Sequence, residues 1–372
     1  MKVLLVADLF SPYVGGIEVL ADRVVPALQK RGTDFMIVTG HHYLHLPDEA
    51  ILNGSKMYRF PFRATLEAGG PFQILELRKR VRKLIADFAP DLVHHFSTGP
   101  STFFIHSGGV PTVTSLQQRI QENCKKPDSL IYRTLEESDW ITTCSEYLKR
   151  EVEALLPGKV GTCAAVLNSI PLPEVAPVPL PAGAARLLAL GRLTDQKGFD
   201  IAIKAMPEIL KNAPEVTLRF AGDGPLREPL AALASEFGVQ GSIEFLGTIG
   251  RDRVIEVLNE SSMVVMPSRW EGLPVAAVEA AVMARPIVAT RVDGIPEIVL
   301  DGETGLLIDT ESPQQLAAAV CRLNQNRELA ESMGRRGREH ARTHFSLATC
   351  VDGYERVYRR FDPERVGEIS GQ

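Results

Sequence analysis

The chain has 372 residues, with 41 Lys and Arg against 46 Asp and Glu for a net charge of −5. That balance excludes the basic stripe a dedicated nucleic-acid binder needs to neutralise phosphates. Hydrophobic residues at 45% and charged ones at 23% describe a folded globular protein long enough for two domains. Five scattered cysteines without a CxxC pair argue against a disulfide framework or structural zinc and for a reducing cytoplasm. No apolar run reaches the roughly 18 residues of a membrane span, and the N-terminus reads as a strand rather than a cleavable signal. The expectation is a cytoplasmic protein, at most peripheral on the inner face of the membrane.

Residues 2–7 read as a buried strand, followed by a glycine-bearing loop to Gly16. Ile17, Leu20, Ala21, Val24, Val25 and Leu28 then recur with helical spacing until Arg31-Gly32, a basic residue and a glycine where helices often end. A strand over 35–39 completes a βαβ unit, the building block of parallel sheets. Further strands are predicted over 57–60, 91–94, 112–115, 140–144 and 161–166. Over 77–88, Leu77, Val81, Leu84, Ile85 and Phe88 share one helical face, and Arg78, Lys79, Arg80, Arg82 and Lys83 fill the rest. This is either a core-packed helix with a solvated face or a cationic surface for anionic lipid head groups.

A proline-rich break over 170–183 reads as a semi-rigid linker. After it the rhythm restarts, with strands over 186–190, 216–221, 243–246, 263–266, 287–289 and 305–308. Helices are predicted between them over 199–210, 226–237, 251–258 and 274–284, and after them over 313–324, 328–343 and 347–361. The fold class is therefore α/β, with two doubly wound parallel-sheet domains over 1–169 and 184–344. Ligands of such sheets bind at the carboxyl ends of the strands.

The densest chemical signal is PSRWEGLPVAAVE, from Pro267 to Glu279. Gly272 lets backbone approach a ligand, and Pro274 suits a first helical turn. The amides of Leu273, Val275 and Ala276 then point from a helix start that favours phosphate or polarised hydroxyls. Glu271 stands just before this helix and Glu279 within it. In GRLTDQKG, following the strand over 186–190, Arg192 and Lys197 offer two cations suited to a diphosphate whose charge grows as it leaves. Gly15-Gly16 and Gly222-Asp223-Gly224-Pro225 mark loops where backbone comes close to a neighbour or ligand.

With Glu271-x7-Glu279 in this setting, the chain resembles a retaining glycosyltransferase of the GT-B fold, family 4 type. YVGGIE at 13–18, FAGDGP at 220–225, FLG at 245–247 and DGIPEIVLDGETGLLI at 293–308 match in order. The resemblance implies two Rossmann-like domains facing across a cleft, with a C-terminal helix over 345–363 packing back on the N-terminal, acceptor-side domain. It implies a metal-independent hexosyltransferase that moves sugar from a UDP- or GDP-sugar to a hydroxyl acceptor such as a glycan, lipid-linked or cell-envelope precursor. Arg192 and Lys197 would hold the diphosphate, Glu279 the ribose, and Glu271 with Gly272, Leu273, Pro274 and Val275 the donor sugar. Gly16 would approach the phosphate, and Ile249 and Thr248 the base.

Two positions depart from the family pattern. Gln117 stands where the family commonly has a histidine, with His94 and His95 as further cleft candidates, and Asn168-Ser169 replaces the usual Asn-Gly hinge. A sugar-nucleotide epimerase on the same architecture and a non-catalytic sugar-nucleotide binder are the alternative readings.

Overall fold

The computed structural model describes residues 1–13, 16–42, 44–170 and 175–362, with only the backbone of Arg251. Gly15 and part of the proline-rich segment lie outside the described residues. The chain divides into two compact units, 1–168 with 347–372, and 169–346.

Unit 1 opens with β1 (Lys2–Ala7), α1 (Gly16–Gln29), β2 (Asp34–Gly40), β3 (Glu49–Leu52) and β4 (Ser55–Phe60). It continues with α2 (Phe62–Ala68), α3 (Pro71–Phe88), β5 (Leu92–His95), α4 (Pro100–Phe104), β6 (Thr112–Leu116), α5 (Leu130–Glu137), β7 (Trp140–Thr143), α6 (Glu146–Leu155) and β8 (Cys163–Ala165). The strands form one sheet in the order β3-β4-β2-β1-β5-β6-β7-β8. Every pairing is parallel except β3 with β4. The central strands are apolar runs because helices cover both faces of a parallel sheet; Val3, Leu4, Leu5 and Val6 are all buried.

Unit 2 comprises β9 (Arg186–Leu190), α7 (Phe199–Asn212), β10 (Thr217–Ala221), α8 (Arg227–Glu236), β11 (Ile243–Gly247), α9 (Arg251–Glu260) and β12 (Met263–Met266). There follow α10 (Val275–Val282), β13 (Ile287–Thr290), α11 (Ile295–Ile298), β14 (Gly305–Ile308), α12 (Pro313–Gln325) and α13 (Arg327–His344). Its all-parallel sheet runs β11-β10-β9-β12-β13-β14. Residues from the proline-rich segment are tied to this unit. Arg285 donates to the Val178 carbonyl, and Arg327 donates to the Leu180 and Pro181 carbonyls.

The last helix, α14 (Leu347–Tyr358), returns to unit 1. Its Cys350, Val351, Tyr354, Val357 and Tyr358 join the core formed by β1, β2 and α1. A buried polar network fastens it. The His94 ring lies 2.6 Å from the Tyr358 hydroxyl and 2.8 Å from Ser115 Oγ, and Ser115 Oγ is 2.6 Å from Thr142 Oγ1. Burial pushes His94 down to about 3, so the ring is neutral at physiological pH.

Several expected boundaries shift for physical reasons. The basic helix begins at Pro71 rather than 77, because Gly70 caps it and its first turn turns Phe72 and Leu75 away from the core. The helix after PSRWEGL begins at Val275, with Pro274 as its cap. The helix expected to 361 ends in a 3-10 turn over Arg359–Phe361. The strands predicted over 91–94 and 161–166 are Leu92–His95 and Cys163–Ala165. All five cysteines are free.

Candidate active site

The order of strands in unit 2 locates its reactive end. From β9 the chain steps outward to β10 and β11, then returns across β9 to β12 on its other side. At such a switch point the loops leaving two adjacent strands part, opening a crevice beyond their carboxyl ends. The loops that part here are Gly191–Gly198 after β9 and Pro267–Pro274 after β12, the two stretches singled out by composition.

Glycines let these loops pack. Gly198 has φ +59°, and a Cβ there would collide with the Pro267 carbonyl; at Gly222, φ +143°, it would meet the Gly191 carbonyl. Backbone then joins the loops, the Arg269 amide donating to the Gln196 carbonyl at 2.8 Å. Arg269 also clamps Asp200 with two 3.0 Å bonds and meets Asp195 and Glu311, which raises its pKa further. This arginine fixes the loops and leaves the neighbouring groups their positions.

At the centre, Lys197 Nζ donates to Glu271 Oε1 at 2.6 Å, and Ser268 Oγ donates to the same oxygen at 2.8 Å. The Glu271 amide donates to Asp293 Oδ2 at 2.7 Å, which fixes its backbone. The Glu271 carboxylate is 5% exposed and the Lys197 side chain 16%. Among the described residues the other Glu271 oxygen, Oε2, has only a 3.4 Å contact from Gln196 Nε2, so it retains capacity for a further donor. In α10 the Ala277 amide is bonded to Pro274 O, and the amides of Val275 and Ala276 precede that bond at the positive end of the helix.

The other predicted residues fall as follows. Arg192 is exposed, with no carboxylate partner among the described residues, while Gly272, Val275 and Glu279 are half-buried and Leu273 and Pro274 buried. Ile249, half-buried, and Thr248, exposed, sit in the loop leaving β11. In unit 1, Gly16 is exposed at the start of α1. His94 is committed to the network under α14. His95 points to the other face of β5, into a polar cavity of about 280 Å³ with Thr102, His106, Thr134 and Glu137, and burial lowers it to about 4. Gln117 turns inward, its Nε2 donating to the Tyr354 hydroxyl at 3.2 Å.

Sequence reasoning missed a group at the corresponding point of unit 1. Its sheet also reverses direction, between β1 and β5, and Asp8 follows β1 there. The Asp8 amide donates to Ser97 Oγ at 2.9 Å, and Asp8 Oδ1 accepts from the Ser101 amide at 2.8 Å. Burial raises its carboxyl above the usual range, against the pull of Ser101 and Arg63. A small open pocket of about 80 Å³ adjoins it, lined also by Gly40, His41, His42 and Arg63. A lone aspartate at the end of a strand carries no motif; only the strand order singles it out.

Comparison with known proteins agrees with this architecture. A model described as glycosyltransferase family 4 matches residues 14–162, and one described as glycosyl transferases group 1 matches 175–340. Both units are thereby accounted for by two halves of one enzyme class. The chain is a family 4-type glycosyltransferase of the GT-B fold. It is 27% identical to an uncharacterized glycosyltransferase of Methanocaldococcus jannaschii over 96% of its own length and 98% of that protein. A glycogen synthase of Mycobacterium tuberculosis matches at 28% identity, over 68% of this chain and 59% of that one. Among solved structures, sucrose-phosphate synthase from Thermosynechococcus elongatus superposes with a TM-score of 0.79 at 19% identity, covering 96% of this glycosyltransferase and 98% of that chain. Anabaena HepE in complex with UDP and glucose gives 0.75 at 16%, covering 97% and 100%. No helix among the described residues of the glycosyltransferase is long and apolar enough to cross a membrane.

Proposed function

We propose that this glycosyltransferase moves a hexose-type sugar from a UDP- or GDP-sugar to a hydroxyl acceptor, with retention of configuration and without a metal. The observation that carries the reading is the buried Lys197–Glu271 pair at the switch point of unit 2, beside the start of α10. Transfer breaks the bond between the anomeric carbon and the diphosphate oxygen and forms one to the acceptor oxygen. The acceptor proton leaves with the diphosphate, on which negative charge accumulates. Lys197, held by Glu271, and the α10 amides are fixed before that charge develops, so they stabilise it without reorganising, and the exposed Arg192 adds a second cation. Glu271 Oε2 accepts a hydroxyl of the donor sugar, and Glu279 takes the ribose hydroxyls.

The acceptor enters at the pocket beside Asp8 in unit 1. A carboxylate accepts from hydroxyl donors, and His42 and Arg63 supply donors beside it, so a polyhydroxylated group fits its lining.

Calorimetry with UDP and GDP tests the donor assignment. Glu279→Ala is expected to weaken the preferred nucleotide by about 10- to 100-fold, the worth of hydrogen bonds to a charged group. Unchanged affinity removes Glu279 from the donor site. Turnover that survives EDTA supports the metal-free reading, and activity lost to EDTA and restored by manganese overturns it.

A further inference from the structure

One surface of unit 1 is left unexplained by sugar transfer. α2 and α3 meet at Gly69-Gly70, a tight corner in which the Gly69 amide donates to the Thr65 carbonyl and the Gly70 amide donates to Gln73 Oε1. The corner presents three apolar side chains to solvent: Leu66 at 37%, Leu75 at 63% and Phe72 at 72% exposure. Along α3, Leu77, Val81 and Ile85 fill the core. At 100° per residue Phe72, Lys79 and Lys83 stand within about 20° of one line on the opposite side, with the exposed Glu76 about 40° from it, Leu75 and the exposed Asp87 about 60° and Arg82 about 80°. α3 holds five cations against two acids in a chain whose net charge is −5. Two of those cations serve the fold: Arg78 donates to the Phe103 carbonyl and stacks over its ring, and Arg80 lies over the ring of Phe60. Lys79, Arg82 and Lys83 are exposed, with no ion-pair partner among the described residues.

We propose that the α2–α3 corner docks this glycosyltransferase onto an anionic lipid bilayer. Phe72, Leu75 and Leu66 enter the boundary between head groups and acyl chains, and Lys79, Arg82 and Lys83 meet the lipid phosphates. The pattern suits a bilayer better than a protein partner. Three apolar side chains offer far less than the roughly 800 Å² per side that a stable protein interface buries, whereas a membrane accepts a few inserted side chains backed by charge. α2 also carries Arg63, in the pocket beside Asp8, one turn before Leu66. A docked corner therefore holds that pocket near the lipid surface, which suits a lipid-linked acceptor. This consequence rests on the acceptor reading of the pocket; the docking does not.

Flotation of the full chain with vesicles of phosphatidylcholine, or of equimolar phosphatidylcholine and phosphatidylglycerol, tests the proposal. The protein is expected to float with the anionic vesicles at low salt and to be released by high salt. Phe72→Ser with Leu75→Ser should reduce the bound fraction about tenfold, leaving the melting temperature and UDP affinity unchanged. Lys79→Gln, Arg82→Gln and Lys83→Gln together should abolish the preference for anionic lipid. Absence of flotation, or equal binding to both vesicles, overturns the proposal. A dimer in sedimentation that Phe72→Ser with Leu75→Ser dissolves also overturns it, making the patch a self-contact. UDP affinity is measured on the same samples, so failure of docking and failure of the sugar-transfer reading are told apart.

Discussion

The two units bury polar chemistry in opposite ways. Unit 2 keeps its groups charged: Lys197 faces Glu271, Arg269 faces Asp200, and Arg285 spends its protons on the Met283, Ser261 and Val178 carbonyls. Unit 1 also buries one cation, Arg59, which donates to the Pro47 and Ser11 carbonyls, but its largest buried polar cluster is neutral. His94, Ser115, Thr142, Tyr354, Tyr358 and Gln117 share a network of uncharged hydrogen bonds, and burial holds the Asp8 carboxyl above its ordinary pKa. A site that must grip an anionic leaving group needs fixed charge. A helix that must stay fastened to a sheet is held by neutral hydrogen bonds, which cost less to bury than ions, although Gln117 Oε1 lacks a partner among the described residues.

The sharpest break in this contrast is Lys197→Ala. It leaves the Glu271 carboxylate almost wholly buried and faced by the neutral Ser268 and Gln196 alone among the described residues, a type of change that costs about 3–5 kcal/mol. Chemical denaturation should show that loss, and turnover should fall with it. Lys197→Met with Glu271→Gln should recover much of the stability and none of the activity. Recovery of both would make the pair structural.

The Lys197–Glu271 pair also marks how far the chain alone could be read. β1, β9 and β12 are legible because buried parallel strands are continuous apolar runs, and both loops at the switch point of unit 2 announce themselves by Gly and Pro. Lys197 and Glu271 stand out singly, one as a cation for diphosphate and the other as an acid for sugar hydroxyls. Their bond to each other does not, since 74 residues separate them and only the adjacency of β9 and β12 closes the gap. Gln117 reads as a cleft residue by its place after β6, yet its amide is turned to Tyr354, 237 residues onward. The short elements were the hardest. β3 is an edge strand with alternating exposure, and α4 spans five residues, too few to repeat an apolar period. α2 buries only Phe62, so it lacks the stripe by which a helix is recognised.

Acid should separate the units by a slightly smaller margin. His94 titrates near 3 in the folded chain against about 6.5 unfolded. The unfolded state binds the extra proton first, so the contribution is whole above 6.5 and drains as pH falls through that value toward 3. By pH 4 the loss from His94 alone is about 3 kcal/mol, and His95, lowered to about 4 by burial, acts in the same direction. Hydrogen exchange at successive pH values is expected to show β1, β5 and β6 losing protection before β9 and β12. His94→Gln should flatten the pH dependence, though it lowers stability at neutral pH. Simultaneous loss in both units would show that they unfold as one and erase the contrast.

The smallest expected effect on stability is also the most diagnostic for unit 1. Asp8 has its carboxyl pKa raised by burial, so its ionised form is disfavoured by the fold. The stabilising contribution belongs to the protonated acid at low pH and is lost as pH rises through the folded pKa. Asp8→Asn keeps an oxygen for the Ser101 amide and removes the charge, so stability at neutral pH should hold or rise by up to about 1 kcal/mol. Catalysis should move the other way: kcat/KM for a hydroxyl acceptor is expected to fall about 10- to 100-fold. Hydrolysis of the donor by water, which needs no acceptor pocket, should be untouched. A variant that is both steadier and poorer at transfer, with donor hydrolysis intact, identifies Asp8 as a group kept for the acceptor at the expense of the fold. If transfer is unchanged, the carboxylate serves only the Ser101 turn, and the strand reversal of unit 1 carries no ligand.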